Sequence, residues 1–366
     1  MSAFPPGALP LGVILVAYES ADVILDCLET LFAAALADGT ALCVVVVDNA
    51  STDGSAAAVA DWAAGRVAYT PPADLPFAHV AVPKPLAGGI LTVIAAGVNG
   101  GFAAGVNLGL AHLAADPAID RFWILNPDSV VPPGTPAAFA GHDPGPFALM
   151  GGRVTYYDQP DMIQIDGGTL NRWTGVTGNL NLGQSIQASA APEAAALDFV
   201  TGASMVASRA FYEAAGPMPE DYFLYYEEGD WAMRRGNLPL AVCPAARVYH
   251  RAGTAIGSPT LGRPASPFSL YFKHRGRMRF VRRYLPRSRI AAWAYTLAKA
   301  AQYRMKGWRE EAQAVLAGAR DAAPPPEIRA RLSAEAARLA FGPGQVQASP
   351  ASAKALSAAS AVTKRP

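Results

Sequence analysis

"LCVVVVDNASTDGS", residues Leu42 to Ser55, decides the fold. Its apolar residues run without alternation into Asp48, Asn49, Ser51, Thr52 and Asp53. An unbroken valine run is the pattern of a strand buried on both faces, as in a parallel sheet. The polar cluster at its end has two readings. Ser51, Thr52 or Asp53 caps a helix predicted over Ala56–Ala64. Alternatively, the cluster faces a ligand, because open α/β sheets bind at the carboxyl ends of their strands, and Asp48 then accepts from a ring N–H of a nucleotide base.

The neighbouring segments fit such a sheet. "GVILVAY" (Gly12–Tyr18) reads as a strand, and Ser20–Leu36 as an amphipathic helix capped by Ser20. Residues 66–90 carry five prolines and read as a loop or insertion with at most an irregular strand. Leu91–Ala96 resumes the sheet, "FAAGVNLGLAHLAA" is a helix and Arg121–Pro127 the next strand. This alternation predicts a parallel sheet with right-handed crossovers. Residues 147–207 read as mixed strands and loops, "SRAFYEAAG" as a short helix stopped by Gly216, and "LPLAVCPAARVYHRAG" as a strand ending at His250. From about residue 266 the pattern is helical, and the segment after Phe341 has the composition of a disordered tail.

Composition narrows the function classes. The 366 residues carry a formal net charge of +1, so no global field recruits nucleic acid. The three cysteines, Cys27, Cys43 and Cys243, have no metal-ligand spacing and read as buried hydrophobes of a reducing compartment. The N-terminus lacks a basic n-region and an apolar h-region, and no window reads as a transmembrane helix, so a cytoplasmic setting is expected. G-x-G-x-x-G, G-x-x-x-x-G-K-[ST] and G-x-S-x-G are all missing, which argues against a Rossmann dehydrogenase, a P-loop NTPase and a serine hydrolase.

Three further constellations carry chemistry. In "ILNPDS" Pro127 keeps Asn126 extended, and Asp128 directly follows a buried strand. Its carboxylate is placed to hold Mg²⁺ or Mn²⁺ against a diphosphate; an Asx turn is the plain alternative. "YYEEGDWAMRRG" sets Glu227, Glu228 and Asp230 among Tyr222, Phe223, Tyr225, Tyr226 and Trp231. Helix-dipole preference explains one or two acids there. Acids among ring faces suit a sugar site. His250 ends a strand, where imidazole can complete a metal site or be merely structural. "NGGFAAGVNLG" opens a helix with glycines, offering N–H groups to phosphate or allowing tight helix–sheet packing.

Taken in order, "VILVAYES", "VVVVDNASTDGS", "NGGFAAGVNLGL", "ILNPDS", "VTGASMVASRAFYEAAG", "FLYYEEGDWAMRRG", "VYHRAG" and "YFKHRGRMRFVRR" resemble the family-2 inverting nucleotide-sugar glycosyltransferases, and most closely their rhamnosyltransferase-like branch. The resemblance runs from about residue 11 to about 320. It implies an α/β, A-type nucleotide-sugar transferase fold: a mostly parallel central sheet flanked by helices, with a C-terminal helical extension. The implied division is an arm at 1–10, a catalytic domain at 11–265 (nucleotide half about 11–130, acceptor half about 131–265), a helical extension at 266–340 and a tail at 341–366.

The resemblance also implies roles. Asp48 contacts the base; Ala17, Tyr18 and Glu19 line the nucleotide, and Asn49, Asn99, Gly101, Phe102, Asn107 and Asn126 complete the donor site. Asp128 and His250 hold Mn²⁺ or Mg²⁺, and Glu228 is the catalytic base, with Glu227 and Asp230 as neighbouring candidates. Glu19 stands where the family commonly has Asn, and Glu228 where it commonly has Asp. The donor is a nucleoside-diphosphate sugar (dTDP- or UDP-linked), and the acceptor a glycan or lipid-linked glycan for cell-wall or surface polysaccharide. The rivals are a catalytically decayed nucleotide-sugar or polysaccharide-binding protein and a sugar-1-phosphate nucleotidylyltransferase. The latter needs a basic glycine-rich loop near the N-terminus, where "AYESADVILD" is acidic.

Between Lys273 and Arg309 lie twelve Lys or Arg and no acid, interleaved with aromatic and aliphatic residues. A solvated helical face is the ordinary reading. Contact with an anionic membrane surface, at the inner face of the plasma membrane and through arginines such as Arg277, Arg279, Arg282 and Arg283, is the alternative.

Overall fold

The computed structural model describes residues 10–86, 90–251 and 265–342. The arm up to residue 9 and the tail from residue 343 lie outside the described residues. Strands β1 (Leu11–Ala17), β2 (Leu42–Asp48), β3 (Leu91–Ala95) and β4 (Arg121–Leu125) alternate with helices α1 (Ile24–Asp38), α2 (Ser55–Ala63) and α3 (Phe102–Ala114). All four strands run parallel in the order β3-β2-β1-β4. The valine run has the burial its pattern predicts. Val44 and Val46 point into one core with Val13 and Leu15, while Val45 and Val47 point into the opposite core with Ile14 and Val16.

Beyond β4 the sheet becomes mixed. The remaining elements of this half are β5 (Ser129–Val130), α4 (Thr135–Gly141), β6 (Leu149–Tyr156), β7 (Ile163–Ile165), β8 (Gly168–Leu170), β9 (Thr177–Asn179), β10 (Ser204–Ser208), α5 (Arg209–Ala215), α6 (Glu227–Met233) and β11 (Ala241–His250). β10 runs antiparallel between β4 and β6, β11 runs parallel to β6, and β5 closes the edge antiparallel to β11. The fold is therefore mixed α/β with helices on both faces; the first four strands are all parallel, and the second half mixes antiparallel pairs with the parallel β6–β11 pair. β5 follows β4 almost at once and pairs His250 with Ser129, which brings the ends of β4 and β11 together.

Two helix starts differ from expectation. α1 begins at Ile24 because the Ser20 carbonyl accepts the N–H groups of Val23 and Ile24 as a turn, while the Ser20 hydroxyl bonds back to Tyr18. Of the candidate caps of α2, Asp53 comes nearest: its Oδ1 accepts the Ser55 N–H at 3.0 Å and its Oδ2 the Ala21 N–H at 2.8 Å.

The last part is helical: α7 (Pro267–Tyr284), α8 (Arg289–Met305), α9 (Arg309–Ala319), α10 (Pro326–Arg329) and α11 (Ala334–Phe341). α7 packs Phe268, Tyr271 and Phe272 with Phe223 and the faces of α9 and α11 into a core of its own. Among the described residues no helix is long and apolar enough to cross a membrane.

The proline-rich loop holds no regular element among its described residues, yet it is tied down. Glu29 on α1 is 1% exposed and accepts bonds from Trp62 Nε1 (2.7 Å), Val82 N–H (2.7 Å) and Lys84 Nζ (2.8 Å). Burial opposes its ionisation, but these donors hold the carboxyl below the ordinary glutamate range. Glu29→Gln removes the charge that the donors are arranged for, and the expected loss is about 2 kcal/mol at neutral pH. The contribution exists above the ordinary pKa and fades on acidification, so the gap to wild type closes as pH falls through 4.5 and below. Thermal melts across pH, with limited proteolysis of residues 66–86, read both effects; melts unaffected by the substitution would show that Glu29 does not hold the loop.

Candidate active site

The site is built around a strained turn. Phe223, Tyr225 and Tyr226 take φ values of 67°, 66° and 78°, the left-handed region that side chains disfavour. Their surroundings enforce it. The Phe223 carbonyl accepts the Phe102 N–H at 3.0 Å, Tyr225 Oη shares a hydrogen with Ser269 Oγ at 2.7 Å, and Tyr226 Oη donates to the Gly175 carbonyl at 2.7 Å. Only glycine fits at residue 101, where φ is 92° and a Cβ would lie 2.2 Å from the Phe223 oxygen. The turn launches α6, so that Glu227 and Glu228 enter the site.

Two cavities meet there. The first, about 280 Å³, opens at the carboxyl ends of the parallel strands and is lined by Tyr18, Asn49, Asn99, Gly101, Phe102, Asn126, Asp128, Glu227, Glu228 and His250 among others. The second, about 590 Å³, lies toward β7–β9 and α7 and includes Gln164, Asn179, Tyr226, Lys273 and Phe280. Thr201, Ala203, Tyr225, Glu228 and His250 border both.

At the junction Asp128 Oδ1 lies 3.0 Å from His250 Nε2, and Asn126 Nδ2 is 3.2 Å from the same nitrogen. On the other side of the ring, Gln164 Oε1 accepts from Nδ1 at 2.7 Å. With Nδ1 committed to Gln164, Nε2 is the ring nitrogen turned to the Asp128 carboxylate and the Asn126 amide. Among the described residues no group of three or more His, Cys, Asp or Glu could hold a metal. Asp128 and His250 could therefore offer a cation two side-chain ligands at most, fewer than Mg²⁺ or Mn²⁺ takes. No described Lys or Arg lines the first cavity.

The three acids of α6 have diverged. Asp230 is fully buried and lines neither cavity. Tyr222 Oη (2.8 Å), Tyr284 Oη (2.9 Å), Arg234 Nε (2.7 Å) and Arg283 all donate to it. Glu227 is 2% exposed, with Oε2 lacking a hydrogen-bond partner, and burial followed by the Glu228 charge pushes its carboxyl well above the ordinary range. Glu228 is half-buried and forms part of the common wall. Burial raises it as well, while backbone donors and the Lys273 ammonium pull the other way.

The donor-side candidates separate similarly. Asn49 Nδ2 donates to Asn99 Oδ1 (3.1 Å) and the Gly101 carbonyl (3.0 Å), and Asn99 Oδ1 takes the Gly101 N–H (2.9 Å), so both asparagines shape the wall. The Phe102 N–H goes to Phe223 and is not offered to phosphate. Gly105 and Gly109 let α3 seat against Val16 and Ile14, where a Cβ would lie 2.5 Å from each side chain. Ala17, Glu19, Asp48 and Asn107 do not line the first cavity. Glu19 accepts from the Thr52 N–H and hydroxyl, Asp48 from the Ser51 N–H at 3.3 Å, and Asn107 binds Met218 and Glu220. Of the aromatics around α6, Tyr222 and Trp231 belong to the cores, and only Phe223, Tyr225 and Tyr226 reach a cavity. Sequence reasoning missed Gln164, on a strand too short to show a pattern, and Lys273, hidden in a basic run.

That run is not one surface. Arg275 and Arg277 are each 2% exposed. Arg275 and Arg279 pair with Asp321 at 2.6 and 2.9 Å, Arg282 pairs with the same carboxylate, and Arg283 holds Asp221 and Asp230. Arg277 donates to Thr174, Ala292 and Thr296. Arg275 and Arg277 are thus internal ties, while Arg282 and Arg283, though paired, stay exposed at the surface.

Residues 12–161 match the model of Glycosyl transferase family 2. No curated protein matches. Among solved structures, GalNAc-T7 with UDP, GalNAc and Mn²⁺ aligns at 12% identity and a TM-score of 0.50, over 84% of this chain and 55% of that one, which shows a shared fold. Also similar are a mannosyltransferase from Pyrobaculum calidifontis in complex with GDP-Man and Mn²⁺ (16% identity, TM-score 0.48, 97% and 81% covered) and S. aureus TarS 1–349 in complex with UDP-GlcNAc (15%, 0.45, 91% and 88%).

The raised carboxyl of Glu227 makes a stability prediction. A group that binds its proton more tightly when folded stabilises fully below its unfolded pKa, near 4.5, and loses that contribution as pH rises through the folded value. Glu227→Gln cannot ionise. It should be more stable than wild type at neutral pH, with a difference that grows by up to about 1.4 kcal/mol per pH unit within that window. Chemical denaturation at several pH values measures it; a pH-independent difference would mean that Glu227 ionises normally.

Proposed function

We propose that the chain is a metal-dependent inverting glycosyltransferase, moving a sugar from a nucleoside-diphosphate donor to a hydroxyl of a glycan or lipid-linked glycan. The observation that carries this reading is the place of Glu228, in the wall common to two cavities, beside the Asp128–His250 pair. The family match over residues 12–161 supports the reaction class. GalNAc-T7, which shares the fold, carries UDP, GalNAc and Mn²⁺ in its structure, and the same ligand classes are proposed here. The motifs quoted from the sequence make dTDP-rhamnose the first donor to test, with UDP-sugars next, and suggest work at the cytoplasmic side of a cell envelope.

The first cavity takes the donor, with Tyr18, Asn49 and Asn99 toward the nucleotide and Asn126 near the diphosphate. Asp128 and His250 would hold the cation, which when bound offsets the charge of the departing diphosphate. The second cavity takes the acceptor, between the Tyr225 and Tyr226 rings and Asn179. Glu228 removes the acceptor hydroxyl proton as that oxygen bonds to the anomeric carbon from the face opposite the diphosphate. The C–O bond to the diphosphate breaks in the same displacement, its electron pair leaves with the nucleotide, and the configuration inverts. Glu227, held protonated by burial, adds no second negative charge beside the base.

Glu228→Gln should keep donor affinity and lower transfer by ~10²–10⁴-fold. If Glu228→Gln turns over donor at the wild-type rate while Glu227→Gln does not, the base is Glu227. Asp128→Ala should abolish the Mn²⁺-dependent part of donor binding in calorimetry, and His250→Ala should weaken it less. Purified protein that binds donor but transfers nothing under any condition would favour the decayed-site rival.

Lys273 gives a pH signature. Its ammonium favours the ionised form of Glu228, so Lys273→Met should raise the pKa of the base and move the acidic limb of the kcat profile to higher pH. An unmoved limb with reduced kcat would separate Lys273 from the base.

A further inference from the structure

α8 has an unusual outer face. Its inner side, Ala292, Thr296 and Ala300, is buried against the rest of the helical unit. Its outer side shows large apolar residues to solvent: Ile290 is 85% exposed, Leu297 55% and Met305 82%. At 100° per residue these three, with Ala294 and Ala301, form one stripe opposite the buried side. Trp293 and Arg289 flank it, and a shallow open groove of about 640 Å³ runs along Ile290 and Leu297. A helix of this length lies about 25 Å along a surface.

The charges carried by α8 and by the turns at its two ends are all positive, with Glu311 of α9 near Tyr303 on its C-terminal turn. Arg287, Arg289, Arg304 and Lys306 are exposed at its two ends, with no ion pair to another described residue. No acid occurs from residue 266 to 309; the next are Glu310 and Glu311 on α9. A protein partner would be expected to set acids and hydrogen-bond acceptors against a mixed surface. An apolar stripe ended by uncompensated arginines, on a helix lying flat, complements an anionic bilayer.

We infer that the outer face of α8 is a docking surface for an anionic lipid bilayer. The contact is made by Ile290, Leu297 and Met305 inserted at the headgroup boundary and by Arg287, Arg289 and Arg304 against lipid phosphates. It does not use the arginines of α7. α7, whose Lys273 and Phe280 line the second cavity, packs against α8. The inference rests on the surface of α8 and not on the transfer reaction.

The test is co-sedimentation of the full chain with vesicles of phosphatidylcholine alone or mixed with phosphatidylglycerol, at low and high salt. Wild type should pellet only with the mixed vesicles and be released by salt. Changing Ile290, Leu297 and Met305 together to Ser should lower the partition coefficient at least tenfold, with an unchanged melting curve because all three are exposed. Changing Arg287, Arg289 and Arg304 to Ser should weaken binding roughly fivefold per cation and flatten its salt dependence. Wild type remaining in the supernatant with mixed vesicles at low salt, or the Ile290/Leu297/Met305 variant pelleting like wild type, would overturn the inference. Neither outcome depends on donor turnover, so failure here leaves the proposed chemistry standing, and the reverse also holds.

Discussion

The hydrogen bond from the Phe102 N–H to the Phe223 carbonyl, 3.0 Å long, joins the two halves of the site. It consumes the first donor of α3, fixes the left-handed turn at residues 223–226 and aims α6 at the ends of the parallel strands. Glycine at 101 is the condition for it, since any side chain there would meet the Phe223 carbonyl. Each of the three left-handed residues costs on the order of 1–3 kcal/mol. That cost is met by packing: Phe223 stacks on Phe272 with ring centroids 5.0 Å apart, and Tyr225 and Tyr226 are anchored at their hydroxyls. The C-terminal helices are thus structural support for the turn as much as an appendage to the sheet.

Electrostatics then divides labour among residues of the same type. Asp230 is saturated with donors and serves α7, Glu227 is buried beside Glu228 and has its carboxyl pushed well above the ordinary range, and Glu228 has a lysine nearby and access to both cavities. Of the three acids, only Glu228 borders both cavities, which is why the proposed reaction assigns it the proton transfer.

The sheet was legible because its valine runs have no polar option: Val44 to Val47 must be buried on both sides, and the opposed cores on the two faces follow. The ends of β4 and β11 were legible for the related reason that Asp128 and His250 are polar residues placed directly after apolar strands. The strained turn was not, because nothing in "FLYY" marks positive φ without glycine or asparagine. The pairing of the α7 arginines was equally hidden, since their partners Asp221, Asp230 and Asp321 come from distant parts of the chain. Glu19, Asp48 and Asn107 sit close to the cavity in sequence terms, yet their side chains satisfy the turns that build it. Position along the chain identified the neighbourhood of the site, whereas the direction of each side chain was set by tertiary bonding.

Glu228 as part of a partition has a consequence for fidelity. With the second cavity empty, the face of the carboxylate that would meet an acceptor meets water instead, and water is itself an acceptor of the donor sugar. Under the proposed reaction hydrolysis competes with transfer, and an acceptor that fills the second cavity suppresses it by displacing that water. The ratio of free sugar to glycoside released would therefore report how completely an acceptor fills the space between Tyr226 and Phe280, independently of how fast the enzyme turns over.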